Sequence, residues 1–368
     1  MANLSVCMIS KFPPIQGGIS AAVYWLVRGL AEAGINVHLV TNSNCVEKDY
    51  RIATENILLP EGIWIHQVER DTPWHIPYSG LYLEKLVDKA LAVFYEYPSD
   101  LIDTWYLVPY GIAGYLVHAI NGVPYIVRHG GSDLAKFWRA GRFPNLFTLM
   151  FAQAAAVVSD NKEFAGTGPD RQDLPRYVPD ERYFHPVSRL NRPITCAYVG
   201  KINYHWQHKG LDRVVKLLIP LLDEVEVIFL AQGRGKKDFI ENCHPSGIRF
   251  MDFIPPWEMP AFLQGIDYLV YFTGANPLPD FPNIVLEALA TGVKILTDNP
   301  VFLKNVCAKI LDPGANILDV SPFLIAPDPS GLRKFLEESL ISRPVKMHIS
   351  YSEYINANIE VYHKCRAK

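Results

Sequence analysis

The sequence lacks the signatures that would place it in several large protein classes. Its six cysteines (Cys7, Cys45, Cys196, Cys243, Cys307 and Cys365) are scattered, and no two sit at the short spacing of a redox or zinc motif. That pattern excludes a disulfide framework and reads as thiols of a reducing compartment. Basic residues are not in excess: 35 Lys and Arg against 38 Asp and Glu give a formal charge of −3, so no global field would attract nucleic acid. Residues 1–10 carry little basic lead and already read as a strand rather than a secretory signal, so a cytoplasmic location is expected. No Gly-x-Gly-x-x-Gly fingerprint and no Walker loop appear, which leaves hydride transfer and P-loop hydrolysis with little support. No obvious metal triad is formed. One long stretch lacks charge. Residues 104–127 contain no Asp, Glu, Lys or Arg and are long enough to span a bilayer. Pro109, Gly111, Gly114, Asn121, Gly122 and Pro124 break that stretch into turn, helix, turn and strand, and a buried αβ unit is the better reading.

What is present is an ordinary soluble composition, 49% hydrophobic and 20% charged, on a chain of 368 residues that is too long for one core and implies two domains. Residues 4–10 form a strand pattern that ends in a Pro- and Gly-bearing turn through Gly17 and Gly18. Val23, Leu26, Val27 and Leu30 then mark one face of a helix, Gly34 stops it, and 37–41 read as the next strand. Strand, turn, helix, strand is a βαβ unit and predicts a parallel sheet. Strands are also predicted at 101–102, 125–127 and 155–159, with a helix over 111–120, and 168–192 read as a linker. A second series follows: strands at 194–199, 225–231, 248–253, 268–272 and 293–296, and helices at 211–218 and 282–291. The last helix spans roughly 352–364 with Tyr354, Ala357 and Val361 on one face. The expected architecture is α/β, two Rossmann-like domains with parallel sheets facing a central cleft. The first would cover 1–187 and the second 188–345, with 346–368 as a C-terminal helix crossing back to the first.

Four segments carry candidate chemistry. The turn before the 282–291 helix presents main-chain N–H groups of Phe281, Asn283 and Ile284 at a positive helix end, suited to a pyrophosphate, with Glu287 one turn further in to accept from a ribose diol. The plain alternative is a surface helix with a capping turn. Lys201 leaves the end of a strand and Lys209 precedes a helix, so two cations converge where a diphosphate leaving group would need neutralising; alternatively, both are solvated surface lysines. Arg128-His129-Gly130-Gly131-Ser132-Asp133 follows a strand directly, and a His there beside glycines can approach a ligand closely. Gly17-Gly18 lets the main chain approach a ligand at a helix N-terminus.

Taken in order, these segments resemble the family 4 glycosyltransferases, retaining enzymes of the GT-B fold, over nearly the whole chain. Phe12-Pro13-Pro14 with Gly17-Gly18 looks like that family's N-terminal glycine loop, and Tyr106 to Gly111 resembles the segment before its acceptor-side helix. His129-Gly130 with the following Asp133 resembles its His-Gly segment. Val178-Pro179-Asp180 with Phe184-His185-Pro186 resembles its entry into the second domain. Gly200-Lys201 with Lys209-Gly210 looks like its basic pair, and Phe281-Pro282-Asn283 with Leu286-Glu287-Ala288 like the end of its Glu-x7-Glu motif. The resemblance implies that Lys201 and Lys209 hold the donor diphosphate and Glu287 the donor ribose. It implies that His129 lies beside the transferred sugar, Gly17 and Gly18 approach the donor, and Phe253-Ile254-Pro255 line the base pocket. Pro282, Asn283 and Ile284 would belong to the donor side with Asp280 and Phe281, while Tyr106, Arg128 and Asp133 would fall on the acceptor side. The partner implied is a nucleotide-sugar donor, with UDP favoured and GDP the alternative, and no further cofactor.

The chain departs from the family pattern in three places. Pro279 stands where the first Glu of Glu-x7-Glu falls, with Asp280 beside it; Lys201 replaces the usual Arg; and the loop between the two lysines is longer, holding His205, Trp206, Gln207 and His208. The acceptor would be a glycan, a lipid-linked sugar or a small molecule. Residues 134–150 mix Lys136, Arg139 and Arg142 with Phe137, Trp138, Phe143, Phe147 and Met150, which suits peripheral contact with anionic lipid, although a helical hairpin with core aromatics is slightly favoured. Two other functions fit the same segments: a nucleotide-sugar-binding protein with impaired catalysis, and a sugar-nucleotide epimerase of the same architecture.

Overall fold

The computed structural model describes residues 4–69, 80–159, 171–188, 193–273, 282–340 and 345–367. The chain divides into two compact units, Met1–Val178 with Tyr351–Lys368, and Pro179–Ser350. The sequence-based boundary at 187/188 lies further along. Residues 183–185 stay with the second unit because Gln264 Nε2 donates to the carbonyls of Tyr183 (3.3 Å) and His185 (3.2 Å). The observed division falls inside the Val178-Pro179-Asp180 segment.

The first unit is built on a seven-stranded sheet: β1 (Ser5–Ile9), β2 (Asn36–Thr41), β3 (Ile63–Gln67), β4 (Leu101–Trp105), β5 (Tyr125–Arg128), β6 (Ala156–Val158) and β7 (Arg171–Gln172). Every pairing is parallel, in the order β3-β2-β1-β4-β5-β6-β7. The central strands are buried on both faces, as apolar runs in a parallel sheet must be. Helices α1 (Gly18–Glu32), α2 (Gly80–Glu96), α3 (Ile112–Asn121) and α4 (Pro144–Gln153) connect and cover them. Val23, Leu26, Val27 and Leu30 of α1 are all buried, and Gly34 closes the helix at φ 85°, a conformation that favours glycine. Residues 104–127 are strand, turn, helix and strand, and no described helix is long and apolar enough to cross a membrane.

The C-terminal helix, Tyr351–Arg366, returns to this first unit as expected. Its Tyr351 hydroxyl donates to the Trp25 carbonyl of α1, and Ile355 packs where α1 has Gly29: a Cβ at that glycine would stand 2.5 Å from Ile355 Cδ1. One turn before its end, the Tyr362 hydroxyl donates to Asp103 Oδ2 of β4 at 2.6 Å.

The second unit has a six-stranded sheet containing β8 (Ile194–Val199), β9 (Val225–Leu230), β10 (Arg249–Met251), β11 (Tyr268–Val270) and β12 (Lys294–Thr297). After β13 (Leu311–Asp312) comes β14 (Ile317–Asp319), and the sheet runs β10-β9-β8-β11-β12-β14, again parallel. Strand β15 (Lys346–Met347) pairs antiparallel with β13, which keeps the chain in this unit up to Ser350. The helices are α5 (Leu211–Leu218), α6 (Lys236–Cys243), α7 (Met259–Gln264), α8 (Asn283–Ala290), α9 (Pro300–Cys307), α10 (Ser321–Ile325) and α11 (Pro329–Ser339).

Both sheets have a point where strand order reverses, between β1 and β4 in the first and between β8 and β11 in the second. The loops leaving the carboxyl ends of those strands diverge there and open a crevice, the usual ligand position in such sheets. Part of the expected linker is core instead: β7 occupies 171–172, and Tyr177 and Val178 are fully buried because the chain is still completing the first sheet there.

Candidate functional site

In the second unit, Lys201 lies just beyond β8, at the reversal point. The loop is braced by its neighbour after β9: Ile202 donates its N–H to the Gln232 carbonyl (2.9 Å), and Gly235 donates to the Ile202 carbonyl (3.0 Å). The approach needs glycine. Gly233 has φ 134°, and a Cβ on it would stand 2.5 Å from the Ile202 carbonyl oxygen. The Lys209 ammonium donates to the Lys201 main-chain carbonyl at 2.8 Å, so the structure brings the two lysines together through ammonium and backbone. Lys209 keeps solvent access yet its Nζ is recessed among protein atoms, and that loss of water lowers its pKa to about 8. The group is still mostly charged at neutral pH.

Helix α8 follows β11, on the other side of the reversal. Pro282 occupies its N-cap position and no side chain caps it; Asn283 and Ile284 begin the helix, and the first main-chain bond to Pro282 comes from Val285 at 2.9 Å. Glu287 is buried one turn in, at 5% exposure, and its main-chain carbonyl accepts from Thr291. Phe253, buried, lies just past the end of β10, two strands from the reversal. Pro279, Asp280 and Phe281 lie outside the described residues. A further cation at these strand ends is Arg213 of α5. It pairs with Asp298 at 2.7 Å, over the Phe272 ring, while Asp298 accepts from the Thr273 N–H at 3.0 Å.

In the first unit the reversal point is occupied by Lys11, after β1, and Tyr106, after β4. The Lys11 ammonium sits 4.3 Å from the centre of the Tyr106 ring, and burial lowers its pKa to about 8, with the Lys136 charge adding to the effect and Asp133 opposing it. Tyr106 holds φ 84°, a strained conformation for a tyrosine, and its hydroxyl meets Ser132 Oγ at 3.1 Å. Gly17 caps α1 at φ 142°, a backbone open to glycine, and Gly18 begins the helix. Gly130 has no room for a side chain: a Cβ would stand 2.6 Å from the Tyr106 ring and 2.7 Å from Ile19.

The Arg128–Asp133 segment is organised by its charged ends. Buried Asp133 accepts from the main-chain N–H groups of Leu107 (2.8 Å), Gly130 (2.9 Å) and Leu134 (3.1 Å), which ties the loops after β4 and β5 together. Burial raises its pKa, opposed by the Leu107 and Gly130 amides and by the Arg176 charge. Arg128 is 2% exposed; burial alone would lower its pKa, but the Asp103 carboxylate outweighs that and raises it. Its Nε donates to both oxygens of Asp103, at 2.8 and 3.0 Å. His129 Nε2 lies 2.7 Å from Ser159 Oγ at the end of β6. Burial, reinforced by the Arg176 charge, lowers the His129 pKa to about 3, so the imidazole is neutral at physiological pH.

Of the residues picked from sequence, Gly17, Gly18, Tyr106, Lys201, Lys209, Asn283 and Ile284 stand at the two reversal points. Arg128, His129 and Asp133 lie at and after the end of the neighbouring strand β5, largely buried and each with its own partners, and Asp133 reaches the reversal point through the Leu107 N–H. Sequence reasoning passed over Lys11, Arg176 and Arg213. Lys11 ends a strand before the glycine turn, the same signal that singled out Lys201. In the 134–150 segment, Phe137, Phe147 and Met150 are core, while Phe143 and Leu149 remain exposed.

Comparison with solved structures identifies the GT-B fold, with matches over nearly the full chain. Sucrose-phosphate synthase from Thermosynechococcus elongatus matches over 99% of this chain and 94% of its own, with a TM-score of 0.63 at 15% identity. A UDP-GlcNAc 2-epimerase from Methanocaldococcus jannaschii matches over 98% and 99%, at 0.60 and 12% identity. Anabaena HepE, in complex with UDP and glucose, matches over 98% and 93%, at 0.57 and 13% identity. No protein-family model and no curated protein sequence matches the chain.

Proposed function

We propose that the chain is a glycosyltransferase of the retaining, family 4 type, which moves a sugar from a nucleoside-diphosphate sugar to a glycan, lipid-linked or small-molecule acceptor. One observation carries the reading. Lys201, the Lys209 ammonium bonded to its carbonyl, and the start of α8 are gathered at the strand-order reversal of one sheet in a GT-B protein. A diphosphate leaving group develops charge as the glycosidic bond breaks, and pre-positioned cations and helix amides stabilise that charge at no reorganisation cost. In this reading the nucleoside diphosphate departs from an oxocarbenium-like sugar, and the acceptor hydroxyl oxygen bonds to the same face as its proton passes to the departing diphosphate. Lys201, Lys209 and the first amides of α8 receive the departing negative charge. Glu287 accepts from the ribose, Phe253 borders the base, and neutral His129 exchanges hydrogen bonds with the sugar without competing for the phosphates. Tyr106 and the Lys11 ammonium above it serve the acceptor side. No metal is required, because the protein supplies the cations.

UDP is favoured as the donor nucleotide, supported by the HepE relative that binds UDP and glucose. The epimerase relative keeps one other chemistry in view, rearrangement of the nucleotide sugar itself. That chemistry calls for a pair of acid and base carboxylates beside the sugar, and the sequence offers no convincing pair for that role. The test is thermal stability against a panel of nucleoside diphosphates and nucleotide sugars, since a ligand that binds only the folded chain raises its melting point by mass action. A selective rise with one nucleotide, lost in Glu287→Ala, is the expected result; no rise with any nucleotide at millimolar concentration would refute the donor site.

A further inference from the structure

At the carboxyl ends of β4, β5 and β6 lies a small cavity with His129 as one of its walls. It is lined by Trp105, Arg128, His129, Ser159 and Arg176, with Val158 and Leu174 completing the wall, and its volume is about 10 Å³. Arg128 makes an unusual contact with its carboxylate. Asp103 takes Nε with both oxygens, so the guanidinium fork is not used on it, and the Nη1 and Nη2 groups, buried to less than 1 Å² each, have no hydrogen-bond partner. Asp103 also accepts from the Tyr362 hydroxyl at Oδ2, and neither of its oxygens bonds Nη1 or Nη2. Four N–H donors without a partner thus belong to a permanently charged residue that lines this cavity, together with Arg176, neutral His129 and Ser159. Buried donors of this kind are costly unless an acceptor meets them.

We infer that this cavity binds a small monovalent anion of chloride size, held on the open guanidinium fork of Arg128 beside Arg176 and the Ser159 hydroxyl. The volume admits one water-sized group and leaves no room for a sugar or a phosphate. Among occupants of that size, a water molecule accepts from at most two of the four N–H groups and brings two donors of its own into a donor-lined space. A halide accepts from all sides and brings none. The bound anion would also fix the Arg128–His129 strand end and, through the Arg176 Nη1 bond to the Gly130 carbonyl (2.7 Å), the glycine turn that follows. The cavity shares His129 with the proposed sugar site, but the inference is tested without nucleotide, so its failure and the failure of the donor reading are read separately.

The experiment has two arms on the full chain. Melting points are measured in sodium chloride and in sodium gluconate at equal ionic strength, gluconate being too large to enter. A saturable rise of about 2 °C specific to chloride is expected once its concentration reaches about ten times Kd. Arg128→Lys, which keeps a charge opposite Asp103 and removes the fork, should abolish the difference. Crystals grown in bromide then locate the site by anomalous scattering, which does not depend on any variant folding. A bromine peak within hydrogen-bonding distance of Arg128 Nη1 or Nη2 is the expected result; its absence overturns the inference whatever the melting points show.

Discussion

Donor binding should weaken with rising pH in a way that Lys209 alone sets. The perturbation is pH itself, over 7 to 8.5. Recessed among protein atoms, the Lys209 ammonium has a pKa of about 8 in the free protein, and a bound diphosphate would hold it charged well above that. If only the protonated form binds, the dissociation constant scales as one plus the ratio of neutral to charged lysine. That factor is about 1.1 at pH 7 and about 4 at pH 8.5, a weakening of about fourfold over the window. Stability of the free protein runs the other way. The folded chain gives up this proton before the unfolded chain does, so stability should rise between about pH 8 and 10.5, the interval from the lowered pKa to the ordinary lysine value. Opposite signs separate a lost phosphate contact from general unfolding. Calorimetric titration with the nucleotide selected by the thermal panel supplies the measurement. Lys209→Met should bind more weakly at pH 7 and lose the pH dependence. A wild-type affinity flat to pH 8.5, or a Met variant that keeps the fourfold slope, would refute the assignment of this lysine to the diphosphate.

Other outcomes follow from the same geometry. At pH 8 about half of Lys209 is charged before binding and nearly all of it after, so binding should take up about half a proton from buffer. That uptake is read from titrations in buffers of different ionisation enthalpy and should vanish in Lys209→Met. Arg128→Met strands the Asp103 carboxylate in the core and should cost about 3–5 kcal/mol in urea unfolding, with part of the loss returned by adding Asp103→Asn. Gly29→Ala places a methyl 2.5 Å from Ile355 Cδ1 and the Tyr351 hydroxyl, and should cost about 1–3 kcal/mol by prying the C-terminal helix from α1. Limited proteolysis should then release that helix first.

The fold was largely readable because parallel sheets bury both faces of their inner strands. The apolar runs at β1, β2, β5, β8, β9 and β12 stand where periodicity puts them, with ends moved by a residue or so. Elements with weaker signals were passed over. Strand β3 is a half-buried edge, β7, β13 and β15 are two residues each, and α2 carries Leu86, Ala90 and Val93 at helical spacing that was simply not used. At the site, residue type and position picked out the lysines and the α8 turn. The braces were not legible, because they are contacts between main chains: Gly233 and Gly235 against the Ile202 and Asn203 carbonyls, and Asp133 on three amides. A sequence marks such places only as glycines and an aspartate near a strand end. It does not say what they touch.

That distinction bears on how the lysines act. Lys11 and Lys209 arrive from different sheets, yet each stands at a strand-order reversal, recessed enough that its pKa falls to about 8. Freely solvated ammoniums would cost nothing to keep and would be worth little to an anion, since water would screen them. These two are partly stripped of water before any ligand arrives, one against the Tyr106 ring and one on the Lys201 carbonyl. The backbone braces make that arrangement rigid, so the desolvation is met during folding rather than at the moment of binding. In the proposed reaction the donor diphosphate would meet the Lys209 ammonium already oriented on the Lys201 carbonyl, and that interaction would be strongest when the phosphate carries its greatest charge, as the bond to the sugar breaks.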